Sequence, residues 1–421
     1  MRRSRWQVAA VAASLCALAL GASACSSKSG SSGAASAGSV KVQGISGNVI
    51  KVGGVYESSD FGGAEAGFLA RINRANRTHE LGKYTIQVTA MDDDGENQQT
   101  DLSDVQSLVE RQGVFAVAPV VTATFDQSSA TFLAQKQVPY FGAGFTNAFC
   151  GSNTWGVSPL GCAIGGTEVN GISIAQIAHA VGKPVSKLKW AFAGLDIPSG
   201  TQADDDFAYA AQKAGGDVVY NKAVIPLNVG NLAPIVNAIE ATKPDVIWVV
   251  AASQSIAMKD AIKATGYTGA VIDNALYSPG LLGVSAVASA LEGTYVETTM
   301  PVLEESTPFA TQMVKDYASD GEPTSAITLG GEYAYMTADD MIAALKKVAP
   351  NFGELHATLT KGFSYTPPDG GSAINYPFMF DAPADCGSTL KVENNKYVAV
   401  TDYACSTTYF KLPANYIANN G

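Results

Sequence analysis

The chain alternates short apolar runs with helical patterns, and this alternation limits the fold more than any other feature. Runs of strand length begin with "VIKVGGV" at residues 49–55 and continue with "YTIQVTA", "VFAVAPV" and "VPYFGAG". Between the second and third runs, four apolar residues recur at helical spacing: Leu102, Val105, Leu108 and Val109. Residues 125–135 fill the next gap with a further helical pattern. This βαβα order is typical of a parallel sheet that is buried on both faces.

The same order begins again after the segment "CGSNTWGVSPLGC". Its strands are "LKWAFAG", "DVVYNKAVI", "DVIWVVAA" and "GAVIDN". One intervening helix carries an apolar stripe at i, i+3, i+4 and i+7: Leu232, Ile235, Val236 and Ile239. Two such sets predict an α/β protein with two doubly wound parallel-sheet lobes. Beyond them, we expect helices at 308–319 and 331–347 and antiparallel strands in "YVAVTDYACSTTYFKL".

The first 24 residues have the pattern of an export signal. A basic head of three arginines precedes an apolar segment at 8–20, which is too short to span a bilayer. The small residues Ala22, Ser23 and Ala24 before Cys25 resemble a lipobox, although this pattern prefers Leu or Val where Ala22 stands. We expect cleavage before Cys25, a lipid on its thiol, and a Ser/Gly tether over residues 25–47. An ordinary cleavage site followed by an incidental cysteine is the alternative.

Charge and cysteine content restrict the partners and the location. Without the three signal arginines, the 27 basic residues become 24 against 38 acidic ones, so nucleic acid and anionic membrane surfaces are poor partners. Four cysteines remain besides Cys16 and Cys25, which suggests two disulfides in an exported protein. Pairing Cys150 with Cys162 and Cys386 with Cys405 closes the shortest loops. Neither pair has CxxC spacing and the chain has three histidines, so we expect no metal and no other cofactor.

In the order of its elements, the chain resembles the type I periplasmic binding proteins, the leucine/isoleucine/valine-binding family of ABC importers. The resemblance rests on "IKVGGVYESSDFGGAEAGFLARIN", "IQVTAMDDDGENQQTDLSDVQSLV", "VFAVAPVVTATFDQSSATFLAQKQVPYFGAG" and "DVIWVVAASQSIAMKDAIKATGYTGAVID". It implies two lobes joined by three crossings, near 155–159, 298–303 and 350–354. The implied lobe 1 comprises residues 48–156 and 302–350. The implied lobe 2 comprises residues 157–301 and 351–421.

The resemblance also implies which loops of lobe 1 bind the ligand. Ligands of open α/β sheets lie beyond the carboxyl ends of the strands, where loops offer free amides. Thr122 and Thr124 follow one strand, and Gly144 and Thr146 follow the next. The family holds a ligand carboxylate at the positions of Thr122, Gly144 and Thr146. The alternative is that these threonines only cap helices.

Further residues are candidates for the walls of the site. Tyr56 and Phe61 stand in the first strand-to-helix loop of lobe 1. In lobe 2, Pro198, Ser199 and Gly200 stand where the family often has an aromatic residue. Ser253 and Gln254 stand where a tyrosine is expected.

The matching positions of lobe 2 differ from the family's α-amino acid site. The family's acid for a ligand ammonium falls at Ala275, although Asp273 is two residues away. The site residues of lobe 2 therefore do not identify the ligand.

Other functions fit the sequence less well. An EF-hand loop needs glycine sixth, but in "MDDDGEN" Gly95 is fourth, so we expect a turn capped by Asn97. "GVSAV" and "GISIA" lack the second glycine of a hydrolase elbow, so we expect no enzyme. The adjacent acids Asp205 and Asp206, and likewise Asp339 and Asp340, are expected on solvated helix faces.

The sequence thus predicts an extracytoplasmic solute-binding lipoprotein anchored to the cell membrane. It would capture a small polar ligand, such as an amino acid, an amide or a carboxylate, and deliver it to ABC permease subunits. The alternative is a membrane-tethered sensor that uses the same two-lobed clamp. Adjacent permease and ATPase genes favour import, whereas an adjacent kinase or cyclase gene favours sensing.

The lipid anchor is directly testable. Cys25→Ala should release the protein from membranes, because it removes the thiol that carries the lipid. Membrane fractionation and mass spectrometry of the mature N-terminus measure the two consequences. A mature N-terminus elsewhere, with an unmodified Cys25, would contradict the prediction.

Overall fold

The computed structural model describes residues 42–413, apart from 228–229 and 252–253. The predicted signal peptide, Cys25 and residues 25–41 of the tether lie outside these residues, as does Ser253. Within the described part, no helix is both long and apolar enough to cross a membrane.

The first sheet is built from the amino-terminal βα units. Its strands are β1 Ile45–Ser46, β2 Val49–Tyr56, β3 Thr85–Asp93, β4 Ala116–Val121, β5 Tyr140–Gly142 and β6 Gly156–Val157. Strand β2 pairs in parallel with β3 and β4, the order continues through β5 to β6, and β1 is antiparallel to β2. The connecting helices are α1 Ser58–Phe61, α2 Ala64–Arg77, α3 Gln98–Ser107 and α4 Gln127–Lys136. A π-helical turn, Leu108–Gln112, extends α3.

The second sheet repeats the arrangement. After the short β7 Glu168–Asn170, its strands are β8 Lys189–Leu195, β9 Asp217–Ile225, β10 Val246–Val250, β11 Ala270–Asp273 and β12 Tyr295–Thr298. Their order is β9, β8, β10, β11, β12, all parallel. The helices are α5 Ile172–Val181, α6 Pro198–Lys213, α7 Ala233–Glu240, α8 Ser255–Ala264 and α9 Ser285–Leu291. We call the first sheet with its helices lobe 1 and the second sheet with its helices lobe 2.

The chain then returns to lobe 1 before it ends on lobe 2. Helices α10 Pro308–Ser319 and α11 Leu329–Val348 both pack against α2. They are followed by α12 Leu355–Lys361 and by the hairpin of β13 Phe363–Tyr365 and β14 Ile374–Tyr376. Strands β15 Cys386–Glu393, β16 Lys396–Ala399 and β17 Ala404–Cys405 add antiparallel pairs beyond β12, and β18 Tyr409–Lys411 pairs with β7. The predicted fold class, two doubly wound lobes with an antiparallel tail, is confirmed.

The last crossing occurs later in the chain than the resemblance implied. Phe352, Leu355 and Leu359 are buried in the core cluster that contains α11, and α12 and β13 contact α11. The chain therefore reaches the second sheet through residues 377–385 rather than at 350–354. The break at Pro350 ends α11 without ending the packing on lobe 1.

Several acids predicted to lie on solvated helix faces are buried instead. Asp206 is buried in lobe 2, while Asp339 and Asp340 are buried in α11. Asp339 accepts a hydrogen bond from Arg71 Nε of α2 at 2.5 Å. Adjacent acids do point in different directions on a helix, but the faces on which these three lie are covered by other elements.

Both predicted disulfides are present. Cys150–Cys162 brackets the start of the first crossing, and Cys386–Cys405 joins β15 to β17. The bridged residues are 12 and 19 positions apart, so each bridge closes a short loop.

Replacing Cys386 and Cys405 together by serine should lower the free energy of unfolding by about 2 to 4 kcal/mol, because the unfolded chain loses a constraint. The measurement is urea denaturation without reductant, with Cys150→Ser/Cys162→Ser as the parallel variant. Peptide maps should show only the remaining local bridge in each variant. Free thiols or crossed pairs in the wild type would contradict the pairing.

Candidate functional site

Two adjoining cavities lie between lobe 1 and lobe 2, where the loops at the carboxyl ends of both sheets face each other. The more enclosed one, the inner cavity, has a volume of about 130 Å³, and the outer cavity has about 120 Å³. Their walls share six residues: Phe145, Ile164, Ala203, Val250, Asn274 and Tyr333. The shared walls make the two cavities one continuous candidate binding site, which we call the cleft.

The lobe 1 wall of the cleft is aromatic. Phe61 ends α1, Phe145 follows β5, and Tyr333 lies in the first turns of α11. Phe145 stacks on Phe61 with ring centroids 4.7 Å apart, and it meets the Tyr333 ring edge-on at 5.0 Å. These contacts fix the rings and provide a flat apolar surface for a ligand.

The lobe 2 wall comes largely from α6 and the loop before it. Leu195, Ile197, Ser199 and Gly200 line the outer cavity. Gly200 is required here because a Cβ atom would lie 2.2 Å from the Leu195 carbonyl oxygen. Further along α6, one helix face lines the inner cavity: Ala203, Asp206, Phe207 and Ala210.

Two buried carboxyl groups give the inner cavity its polar character. Glu297 of β12 is 3% exposed and accepts a hydrogen bond from Ser173 Oγ at 2.6 Å. Asp206 is 7% exposed, and its Oδ2 accepts from the Gly165 amide at 3.3 Å. Among the described residues, Asp206 Oδ1 has no hydrogen-bond partner. Burial raises the pKa of each carboxyl to about 7.

The predicted lobe 1 loops reach the cleft, but through the neighbours of the predicted threonines. Ala123 and Phe145 line the outer cavity. Thr124 Oγ1 donates to Asp94 Oδ2 at 2.8 Å, and Thr122 Oγ1 lies 2.9 Å from Thr124 Oγ1.

The hydroxyl of Thr146 is likewise bound within its own lobe. Thr146 Oγ1 donates to the Phe125 carbonyl at 2.6 Å and accepts from the Ala148 amide. Gly144 has a φ of +73°, and a Cβ there would lie 2.5 Å from the Gly161 carbonyl oxygen. These groups hold the loops in place and are not part of the cavity walls.

The structure brings together two of the other predicted residues, Phe61 and Ser199, which both line the outer cavity. Tyr56 packs against the core of lobe 1, and Pro198 is exposed at the start of α6. Gln254 is buried and donates from Nε2 to the Leu227 carbonyl at 2.9 Å. None of these three lines either cavity.

Asp273 is buried inside lobe 2 and has a partner there. Its Oδ2 lies 3.7 Å from Lys259 Nζ, and its Oδ1 accepts from the Ala275 amide at 2.7 Å. Burial raises the pKa of Asp273 and lowers that of Lys259 to about 8. Ala275, two residues later, lines the outer cavity at the position where the resemblance implied an acid.

Sequence reasoning missed Phe145, Tyr333, Asp206 and Glu297. Asp206 had a signal, because Ala203, Phe207 and Ala210 surround it at helical spacing, which makes it an acid in an apolar stripe. Phe145 stands between the two predicted residues Gly144 and Thr146. Glu297 and Tyr333 gave no local signal, because the sequence around each has the pattern of a strand or helix in the hydrophobic core.

Comparison with known proteins supports the fold. A family model described as periplasmic binding protein matches residues 47–375. No curated protein matches the chain.

Solved structures share the fold at low sequence identity. A solute-binding protein of an ABC transporter from R. palustris, in complex with 4-hydroxybenzoate, is 18% identical with a TM-score of 0.67, covering 86% of this chain and 98% of that one. A branched-chain amino acid ABC transporter protein from Thermus thermophilus with bound valine is 15% identical with a TM-score of 0.65, covering 85% and 96%. A substrate-binding protein from Aeropyrum pernix is 16% identical with a TM-score of 0.68, covering 89% and 99%.

The pairing of Lys259 with Asp273 predicts a stability role for both residues. Lys259→Met or Asp273→Leu alone should lower the free energy of unfolding by about 3 to 5 kcal/mol, because each leaves an unpaired buried charge. The double variant should lose less than either single variant. Urea denaturation measures these values, and Lys183→Met, from an exposed pair with Asp245, should cost less than about 1 kcal/mol. Additive losses in the double variant would show that the two side chains are not coupled.

Proposed function

Since this chain belongs to the periplasmic binding protein family, we propose that it is the extracytoplasmic solute-binding component of an ABC importer. The family consists of binding proteins rather than enzymes. The observation that carries the proposal is the cleft, because its walls come from both lobes and from the strand ends where such sheets bind ligands. The ligand is a small organic molecule of the amino acid, amide or carboxylate classes. Cys25 anchors the protein to the cell membrane by a lipid.

The cleft explains how ligand capture could change the shape of the protein. A ligand held between Phe145 and Tyr333 on one side and α6 on the other contacts both lobes. It therefore stabilises the arrangement in which the lobes are close, since only that arrangement offers both sets of contacts. The segments between the lobes act as the hinge, and the surfaces brought together on closure are recognised by the permease subunits.

The predicted site residues divide into two roles in this proposal. Phe61 and Ser199 contact the ligand from opposite lobes. Thr122, Thr124 and Thr146 position the loops that carry Ala123 and Phe145. The hydrogen bonds of these threonines to Asp94 and to the Phe125 carbonyl support the positioning role.

Removing the central ring of the lobe 1 wall should weaken capture. Phe145→Ala takes away contacts in both cavities, so the affinity for the ligand should fall at least about ten-fold. Native mass spectrometry of protein purified without denaturation should show a bound small molecule in the wild type and its loss in this variant.

Phe378→Ala is the matched control, because Phe378 is 43% exposed and lies outside both cavities. It should retain the ligand. Equal retention by Phe145→Ala would place ligand binding elsewhere and contradict the proposal.

A further inference from the structure

The inner cavity contains two acids whose charges have no basic partner in its walls. Asp206 and Glu297 both line this cavity, and no lysine or arginine is among the described residues that line it. The remaining walls are mostly apolar, with Phe145, Phe207 and Tyr333 as the large side chains. A buried carboxylate is costly unless an opposite charge and hydrogen bonds compensate for lost water. The described residues around the inner cavity supply hydrogen bonds to these acids but no positive charge.

Both acids are held in place by hydrogen bonds, and one oxygen of Asp206 stays available. Ser173 of α5 donates to Glu297 Oε1, and the Gly165 amide donates to Asp206 Oδ2. Asp206 Oδ1 is buried in the cavity wall without a hydrogen-bond partner in the described part of the chain. A preformed acceptor of this kind is suited to a donor that arrives from outside. The buried acid Asp273 of this lobe is paired internally with Lys259 and is not available for this purpose.

We infer that the ligand presents a cationic nitrogen to Glu297 and Asp206 while its apolar body packs against Phe145, Phe207 and Tyr333. This inference rests on the proposed function, since it assigns the ligand class of the same cleft. A cation over aromatic rings gains further stabilisation from their negative faces. The inference favours amines, including amino acids, and disfavours ligands that carry only a carboxylate.

The raised pKa values of the two acids also allow the opposite case, in which the ligand is an anion. Since their pKa values in the free protein are about 7, either carboxyl could instead stay protonated and donate to an anionic ligand. The two cases predict opposite signs for the pH dependence of binding. A cation binds the ionised carboxylates, so binding releases protons and becomes tighter as pH rises through 7. An anion binds the protonated acids, so binding takes up protons and becomes tighter as pH falls.

Neighbouring titratable groups do not reverse the sign of this pH dependence of binding. Asp205, next to Asp206 on α6, contributes to the raised pKa of Asp206. Tyr333 of α11 faces Glu297, and its pKa is raised by burial, so it stays protonated over the pH range of interest. Ser173 does not titrate in this range.

The experiment uses three probes that share one apolar body: phenethylamine, phenylalanine and 3-phenylpropionate. They carry an ammonium group, both charges, and a carboxylate alone. Isothermal titration calorimetry of the intact protein at pH 6 and pH 8, in buffers of different ionisation enthalpy, gives the affinity and the proton exchange. We expect the two amines to bind, with affinity about ten-fold higher at pH 8 for each carboxyl that ionises near pH 7. We expect 3-phenylpropionate not to bind.

Variants test the two acids separately. Glu297→Gln and Asp206→Asn should each weaken amine binding at least about ten-fold at pH 8 and reduce its pH dependence. Glu322→Gln, at an exposed position of lobe 1 outside both cavities, should leave the affinity and its pH dependence unchanged. The pH dependence of the wild type tests the inference even where a cavity variant does not fold.

Several outcomes would overturn the inference. These are binding of 3-phenylpropionate that tightens at low pH with proton uptake, amine binding that Glu297→Gln and Asp206→Asn leave intact, and failure of both amines to bind. If an anion binds in the cleft, the solute-binding function stands and only the ligand class is wrong. If native mass spectrometry shows no small molecule and no probe binds, the proposed function fails as well.

Discussion

The parallel arrangement of the strands is the constraint on which the cleft depends. A parallel strand must be followed by a crossover, here a helix or a loop with a helix, so the carboxyl ends of β2, β4 and β5 lie at one edge of the first sheet. The same holds for β8, β10 and β11 in the second sheet. Phe61, Ala123 and Phe145 therefore meet in space although they are far apart in sequence. The lobe 2 wall forms for the same reason, because Leu195, Val250 and Asn274 each follow or end a strand of one sheet.

Two clusters of buried charged groups, one in each lobe, are paired, and this contrasts with the two acids of the cleft. In lobe 1, Arg71 is 3% exposed and lies between Asp339 and Glu80, with a bidentate contact to Glu80 at 2.9 to 3.0 Å. This cluster ties α2 to α11. In lobe 2, Lys259 faces Asp273 and donates to the Ile272 carbonyl at 2.8 Å. Pairs of this kind satisfy buried charges from within the fold. Glu297 and Asp206 have hydrogen bonds but no such cation among the described residues, which is why the cleft, unlike these clusters, is suited to a charged ligand.

The position of the aromatic wall depends on the segment of the chain that returns to lobe 1, as the contacts between the lobes show. The hydroxyl of Tyr277, after β11, donates to Glu304 Oε2 at 2.8 Å, and its carbonyl accepts from the Leu329 amide at the start of α11. Helix α11 carries Tyr333 into the cleft one turn later. The position of the aromatic wall thus depends on a segment from the last third of the chain, which packs on α2 of the first βα units.

The sequence by itself determined the fold class, most element positions and both disulfides, because these follow from local patterns. Apolar periodicity located α10 and α11 within two residues, and Asn97 caps α3 through hydrogen bonds to Gln99 and Thr100, as its position predicted. Local patterns also located the loops of the cleft but not the side chains that face it. Thr122 and Thr146 bind groups within lobe 1, while Ala123 and Phe145 beside them face the cavity.

Tertiary structure decided what the buried acids meet and, for most of them, that they are buried at all. Asp339 and Glu297 differ little in local sequence from exposed acids, since burial depends on which element covers a helix face or a strand end. Asp339 meets Arg71 across 268 positions, and Glu297 meets Ser173 across 124. Pairings over such distances are set by how whole sheets and helices pack, so no local pattern specifies them.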